Sequence, residues 1–198
     1  WQPLQLNLPV TPIMDLQVKE NDLIVATSGR AFWILDDLAL LRQYKGEDNA
    51  FALYQPEDLV YGNWGSQMNG ANPKGYDPYT GVNPPNGVVM YYQLPQPVDS
   101  VELLMEIKDS AGNVVRRLSS KKDDSFEEYP GGPSAGPVIP KKKGINRFVW
   151  NTRYPTMVGA PSAYMEGSFS GHKAPPGTYT MTLKYGGKEL KSSFKILP

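Results

Sequence analysis

The sequence predicts an all-β protein made of a small antiparallel sheet followed by a larger β-sandwich. Three observations favour this fold class. The 198 residues include 19 glycines and 19 prolines, an excess that indicates many turns. Short runs alternate apolar and polar residues with the period of two that strands require, and only one short segment is expected to be helical. Apolar residues make up 40% of the chain, which is enough to support a core.

Residues 1–44 are predicted to form a three-stranded meander that ends in a short helix. The strands are predicted at Ile13 to Val18, Leu23 to Thr27 and Ala31 to Leu35, by alternation and by their aromatic and β-branched content. Asp36 and Asp37 follow, and we expect them to cap a helix from Leu38 to Gln43. Three strands and one helical turn cannot close a core alone.

Residues 45–87 are predicted to form a connecting loop. In its last 32 residues, 11 are Gly or Pro, and aromatic side chains are interleaved with them. Trp64, Tyr76 and Tyr79 are the candidate ligand-binding residues of the chain, because exposed aromatic rings on a loop can stack on sugar rings. The alternative is that these rings are buried and pin the loop to the neighbouring domain.

Residues 88–198 are predicted to form an Ig-like sandwich of the fibronectin III-like kind, because six or seven strands fall within about 110 residues. The strands are predicted at Val88 to Leu94, Val101 to Lys108, Val114 to Leu118, Ile145 to Asn151, Thr178 to Tyr185 and Lys188 to Leu197. Asp109 to Asn113 and the Gly186-Gly187 pair are predicted hairpin turns. The absence of cysteine excludes an antibody-type disulfide but not this architecture.

The residue inventory excludes several kinds of site. Without cysteine, there is no thiol nucleophile and no thiolate zinc site, and His172 is the single histidine. We therefore predict no catalytic residue, no metal site and no cofactor. Twenty basic and twenty acidic side chains cancel, so no nucleic-acid partner is expected. No apolar run is long enough for a transmembrane segment.

Three pairs of adjacent carboxylates could in principle perform glycoside hydrolysis. Neighbouring residues on a strand point to opposite faces, so such a pair is not by itself catalytic. Asp36-Asp37 is expected to cap the helix, and Asp123-Asp124 and Glu127-Glu128 are expected to lie in a solvated loop. His172 is predicted to be a surface residue, and Lys141-Lys142-Lys143 a solvated basic run.

Two parts of the chain resemble known families. Pro12 to Gln43, with DLIVATSGRAFWILDDL at its centre, resembles the last blade of sortilin-like, Asp-box (BNR) β-propellers, which occur in secreted bacterial proteins often labelled glycosyl hydrolase. In such blades an Asp-box turn ends in a Trp that enters the next strand, and Trp1 stands where that Trp would be. The segments IKDSAGNVVRRL, NRFVWN and APPGTYT are similar to the Ig-like domain of flagellar hook-capping proteins, with Asn151 where Asp is usual.

These resemblances imply a non-catalytic accessory C-terminal region of a secreted, periplasmic or cell-surface β-propeller protein. Its expected partner is the rest of the parent propeller, which it would cap, and it would mediate domain or partner interaction. Two alternatives stay open. The chain could be a carbohydrate- or peptide-binding module, or part of a glycoside hydrolase whose active site lies in blades outside it. Open edges of the first sheet are expected to attract partners.

Overall fold

Eleven strands and one short helix form the regular structure of the described residues. The computed structural model describes residues 4–47, 49–62, 85–160, 163–164 and 167–198. The chain divides into two compact units, Trp1–Gly46 (unit 1) and Glu47–Pro198 (unit 2). This architecture confirms the predicted all-β fold class.

Unit 1 contains one antiparallel sheet with the strand order β1-β2-β3. Its elements are β1 (Ile13–Lys19), β2 (Asp22–Thr27), β3 (Phe32–Leu35) and α1 (Leu38–Gln43). The observed bounds agree with the predicted ones to within one residue. Alternation and turn residues were therefore sufficient to locate these short elements.

The predicted capping of α1 by its acidic side chains is wrong. Asp37 occupies the N-cap position with a left-handed backbone (φ 60°, ψ 63°), and its side chain makes no capping hydrogen bond. Its amide instead donates to the Asp22 carboxylate at 3.1 Å, and the Leu38 amide donates to the Asn21 carbonyl at 2.6 Å. The β1–β2 turn thus satisfies these amides. Burial, and then the charge of Asp22, raise the pKa of Asp36.

Unit 2 is a sandwich of two sheets. Its strands are β4 (Ala52–Leu53), β5 (Leu59–Val60), β6 (Val88–Leu94), β7 (Leu104–Lys108), β8 (Val114–Ser119), β9 (Gly144–Trp150), β10 (Gly177–Tyr185) and β11 (Lys188–Leu197). One sheet has the order β4-β6-β9 and the other β5-β11-β10-β7-β8. All pairs are antiparallel except β5 with β11, which is parallel. The first part of unit 2 therefore contributes one short strand to each sheet.

The segment that the sequence assigns to a loop, residues 45–87, supplies these two short strands. Strands of two residues are too short to show alternation, so the pattern could not reveal them. Tyr54, next to β4, holds this segment to the sandwich. Its amide donates to the Tyr91 carbonyl at 3.1 Å, and its hydroxyl donates to the Gln93 side-chain oxygen at 2.6 Å. The Gln93 side-chain nitrogen in turn donates to the Glu47 carbonyl.

The core of unit 2 lies between the two sheets. It contains alternate residues of the long strands, and its largest fully buried side chains include Trp150, Tyr92, Phe194, Met90 and Met181. Trp150 meets Tyr179 and Phe194 edge-on, with ring centroids 6.0 and 6.2 Å apart. Such aromatic pairs add specific geometry to the burial of apolar area.

The excursion between β8 and β9 also contributes to this core. Ile139 is 1% exposed, and its amide donates to the Ser119 carbonyl at 3.0 Å. The Tyr92 hydroxyl donates to the neighbouring Pro140 carbonyl, and burial raises the pKa of that phenol. The end of the excursion is therefore fixed to the sandwich before β9 begins.

Candidate functional site

The aromatic residues that the sequence nominated for ligand binding, Trp64, Tyr76 and Tyr79, lie outside the described residues. Ligand binding by these rings therefore stays a prediction. Trp1, which carries part of the propeller resemblance, also lies outside them.

His172 lies at the surface, as predicted, and its ring stacks on Tyr154. The two ring centroids are 4.0 Å apart and the planes meet at 22°. Asp123, in the acidic part of the excursion, accepts hydrogen bonds from the amide and the hydroxyl of Ser125. In the described part of the chain, no three His, Asp or Glu side chains gather as a metal-binding group.

Lys141 has a structural role that the sequence did not reveal. Its ammonium group donates to the carbonyl oxygens of Val98, Asp99 and Val101 at 3.0, 3.1 and 2.9 Å. Three carbonyls satisfy the three donors of a lysine ammonium group. This lysine therefore joins the excursion to the segment before β7, whereas Lys142 and Lys143 are exposed.

A buried cation, Arg116, was also missed. Arg116 lies opposite Ile107 in the β7–β8 pair and therefore shares its inward face. It is 9% exposed, and its guanidinium group donates to the Tyr154 carbonyl at 2.9 Å. Burial lowers the pKa of this arginine. The sequence predicts an ordinary strand from Val114 to Leu118, and nothing in its pattern indicates that the Arg116 side chain points inward.

The candidate functional site is a polar groove of about 260 Å³ at one end of unit 2, hereafter the end groove. It is bordered by the end of β5, the residues just before β6, the turn after β9, and Lys173 ahead of β10. These four segments are far apart in sequence, and the sheet pairing brings them together. The groove belongs entirely to unit 2.

The turn after β9 forms one wall of the end groove and is strained. Thr152 has a positive φ of 57° although it is β-branched, and it is 5% exposed. A β-branched residue in this region is a steric outlier that persists only when its surroundings hold it. Its carbonyl accepts from the Ala174 amide at 2.6 Å, and the Trp150 indole donates to the Arg153 carbonyl at 3.1 Å. The core and the segment before β10 therefore fix this turn.

Two cations line the end groove. The Arg153 guanidinium donates to the Gly171 carbonyl at 2.7 Å, and the Arg153 and Lys173 backbones form an isolated β-bridge. The Lys173 ammonium lies 4.9 Å from the centroid of the Tyr61 ring. Among the described residues, neither cation forms a salt bridge with a carboxylate, and no acidic side chain lines the groove. Within the described part of the chain, the charge of the groove lining is therefore positive.

Side-chain amides complete the polar lining. Asn86 and Asn151 both border the end groove, and the Asn151 side-chain oxygen accepts from the Arg153 amide at 3.2 Å. Gly87 lies just before β6 and packs closely against Trp150 at the end of β9, because it has no side chain. A Cβ atom placed on this glycine would lie 2.3 Å from the Trp150 carbonyl oxygen. No larger residue fits there without displacing a wall.

The arrangement has the chemistry of a binding site. It offers cationic and amide donors on a fixed frame, from Arg153, Lys173, Asn86 and Asn151. Comparison with known family models, curated proteins and solved structures finds no match for this chain. In the described residues, no helix has the length and apolar character needed to cross a membrane.

Proposed function

We propose that the chain is a non-catalytic accessory region of a secreted or periplasmic β-propeller protein. In this proposal unit 1 is a blade-like sheet that packs against the other blades of the propeller and caps it. Unit 2 is an Ig-like module that mediates domain or partner interaction. The observation that carries the proposal is the distribution of apolar side chains on the two faces of the unit 1 sheet.

One face of this sheet is apolar across all three strands. Cross-strand partners in an antiparallel sheet share a face, and the register places Leu16 beside Val25 and Trp33. Val18 occupies the next position on the same face. Leu16 is 59% exposed and Val18 is 53% exposed, so the β1 part of this face has no cover among the described residues.

The opposite face also carries large apolar side chains. Ile34 pairs with Ile24, and Phe32 pairs with Ala26, all on this second face. Phe32 is 76% exposed and Ile34 is 60% exposed. An antiparallel sheet that covers one core needs only one apolar face, whereas a propeller blade packs between two neighbouring blades. Apolar residues on both faces therefore support a blade-like role.

Unit 2 supports the second half of the proposal because it has a complete core of its own. A module with its own core can be attached to a propeller without depending on it for stability. The resemblance of the sequence to secreted bacterial proteins underlies the proposed location.

The test begins with the chain as it stands, studied by sedimentation velocity over a range of concentrations. We expect concentration-dependent self-association, because exposed apolar faces and open edges attract partners. The double variant Leu16→Lys/Phe32→Lys, with one charge on each face, should sediment as a monomer. The matched control Met157→Lys/Val158→Lys places two charges at exposed apolar positions of unit 2 and should associate like the parent chain.

A strictly monomeric parent chain would contradict the role assigned to the two faces. The propeller itself is tested by the intact mass and N-terminal sequence of the mature protein made from its full gene. A mature chain that extends upstream into repeated Asp-box turns supports the proposal. A mature chain that starts at Trp1 overturns it.

A further inference from the structure

We propose that the end groove binds a carboxylate-bearing sugar residue, such as a hexuronate unit of an acidic polysaccharide. This inference concerns unit 2 alone and goes beyond the accessory role proposed above. It does not depend on whether unit 1 belongs to a propeller. The argument rests on the charge, the lining, the volume and the rigidity of the groove.

The charge of the end groove selects an anion. Arg153 and Lys173 border it, and the described residues provide no carboxylate to neutralise either cation. The outer face of the five-stranded sheet is different, because each of its acidic residues bridges two basic ones. Glu106 lies between Lys108 and Arg117, for example. A guanidinium fork and an ammonium group together are well suited to a carboxylate.

The rest of the lining favours a sugar over a peptide. Asn86, Asn151 and the Tyr61 ring border the groove, and side-chain amides both donate to and accept from hydroxyl groups. A peptide of extended form is recognised through a free strand edge and apolar pockets for alternate side chains. Here Leu59 is the one aliphatic residue among the described lining, so a row of apolar pockets is not provided. The open edge that β5 leaves at the border of its sheet is two residues long, which is too short to hold an extended peptide.

The volume limits the ligand to one small unit. At about 260 Å³, the end groove lies just below the range of roughly 300–1,000 Å³ that is typical of small-molecule sites. A single sugar residue carrying a carboxylate is of suitable size, whereas a dinucleotide cofactor is not. A longer chain could continue from the groove into solvent.

The rigidity of the wall means that binding requires little rearrangement. The Ala174 amide donates to the carbonyl of Thr152, which has a φ of 57°, and its neighbour Arg153 is anchored through both its carbonyl and its guanidinium group. Backbone strain of this kind is concentrated at ligand-binding sites. A preformed site loses less conformational entropy on binding.

The experiment is an NMR titration of the ¹⁵N-labelled full chain with D-galacturonate, with methyl galactoside as the neutral counterpart. We expect galacturonate to bind with a dissociation constant of about 1 mM and to shift the amide signals of residues 59–62, 86–87, 151–153 and 173. Methyl galactoside should bind at least about tenfold more weakly, because it lacks the carboxylate. Added salt should weaken galacturonate binding, because Lys173 is exposed and Arg153 is only half-buried.

Three variants test the residues. Lys173→Met removes the charge but keeps the length of the side chain, and should weaken galacturonate binding about tenfold. Asn151→Asp adds a carboxylate while keeping the acceptor for the Arg153 amide, and should weaken binding at least as much. Lys173→Arg should retain binding. The control Lys188→Met, at the β10–β11 turn, should bind like the parent chain. Thermal melts establish that each variant is folded.

Several results would overturn the proposal. They are the absence of shifts in the end groove at about 10 mM galacturonate, equal binding of methyl galactoside, or unchanged affinity in both Lys173→Met and Asn151→Asp. Tight binding of inorganic phosphate or of an acetylated dipeptide with a free C-terminal carboxylate, without galacturonate binding, would also overturn it. Those results would identify a phosphate site or a peptide C-terminus site instead. The amide signals of unit 1 are observed separately in the same spectra. The absence of galacturonate binding would therefore leave the propeller proposal unaffected.

Discussion

The Tyr179 hydroxyl donates a hydrogen bond of 2.6 Å to the carbonyl oxygen of Pro175, four residues upstream. Tyr179 stands near the start of β10, and this backward bond is the arrangement known in Ig-like sandwiches as a tyrosine corner. The ring is 2% exposed and stacks on Phe194, with centroids 5.8 Å apart. The corner thus attaches to the core the segment that contains Lys173. Because Lys173 borders the end groove, the same hydrogen bond helps to fix the position of that border.

Replacing Tyr179 with Phe should destabilise unit 2 by about 1 kcal/mol, because one intramolecular hydrogen bond is lost while the ring stays in place. Urea unfolding followed by tryptophan fluorescence measures this change. The control Tyr164→Phe removes a hydroxyl from a ring that is 74% exposed, and should change the free energy of unfolding by less than about 0.5 kcal/mol. Equal effects of the two variants would mean that the corner does not stabilise the fold.

Replacing Gly87 with Ala should destabilise unit 2 by about 2–3 kcal/mol, since the new Cβ would lie 2.3 Å from the Trp150 carbonyl oxygen. The same measurement on Gly177→Ala provides the comparison. There a Cβ atom meets its nearest side-chain atom, on Tyr179, at 3.9 Å, which is ordinary contact. Gly177→Ala should therefore change stability by less than about 1 kcal/mol. A tolerated Gly87→Ala would show that the two walls of the end groove can separate freely.

The stability of unit 2 should depend on the ionisation of Glu106. Hydrogen bonds from Arg117, and then from Lys108, hold the pKa of this carboxyl below its ordinary value of 4.5. A folded-state pKa that is lowered means that the stabilisation is present above the unfolded pKa and is lost as the pH falls through the folded pKa. Glu106→Gln should remove this part of the acid dependence. Because both cations are exposed, the effect at neutral pH should be about 1 kcal/mol or less.

Urea unfolding at several pH values between about 2 and 7 tests this expectation. Glu127→Gln, at an exposed position of the excursion, is the matched control and should follow the parent chain at every pH. Identical pH profiles for Glu106→Gln and the parent chain would contradict a stabilising role for the ionised carboxylate.

Strand positions were predictable where runs of apolar, aromatic and β-branched residues are bounded by turn residues. Val88–Leu94 and Lys188–Leu197 were located to the residue, and the Gly186-Gly187 turn has the two positive φ values, 55° and 77°, that such a hairpin needs. The strand predicted to begin at Val101 begins instead at Leu104. Leu103 is fully buried, but its amide donates to the Ser120 side chain. The hydropathy of a residue indicates whether its side chain is buried, but it does not indicate whether its backbone amide bonds to a neighbouring strand.

The end groove could not be predicted from the sequence, because its residues carry no motif. Arg153 and Lys173 are isolated basic residues 20 positions apart, and only the β-bridge between their backbones makes them neighbours. Asn151 stands where the hook-capping family that the sequence resembles usually has Asp, and the structure places this neutral amide beside two cations. The strain at Thr152 is a property of tertiary contacts and leaves no trace in a single sequence.

The parallel pairing of β5 with β11 has a mechanical consequence. Ile196 lies opposite Leu59 and Leu197 opposite Val60, so β5, the second strand of unit 2, and β11, its last strand, run side by side in one direction. A pulling force that enters through β5 and leaves through β11 would act along these strands and load their hydrogen bonds together, in shear. Separation would then require all of them to break at once, whereas a hairpin pulled from its open end releases one bond at a time. The β5–β11 pairing therefore has the geometry that resists a pull along the two strands.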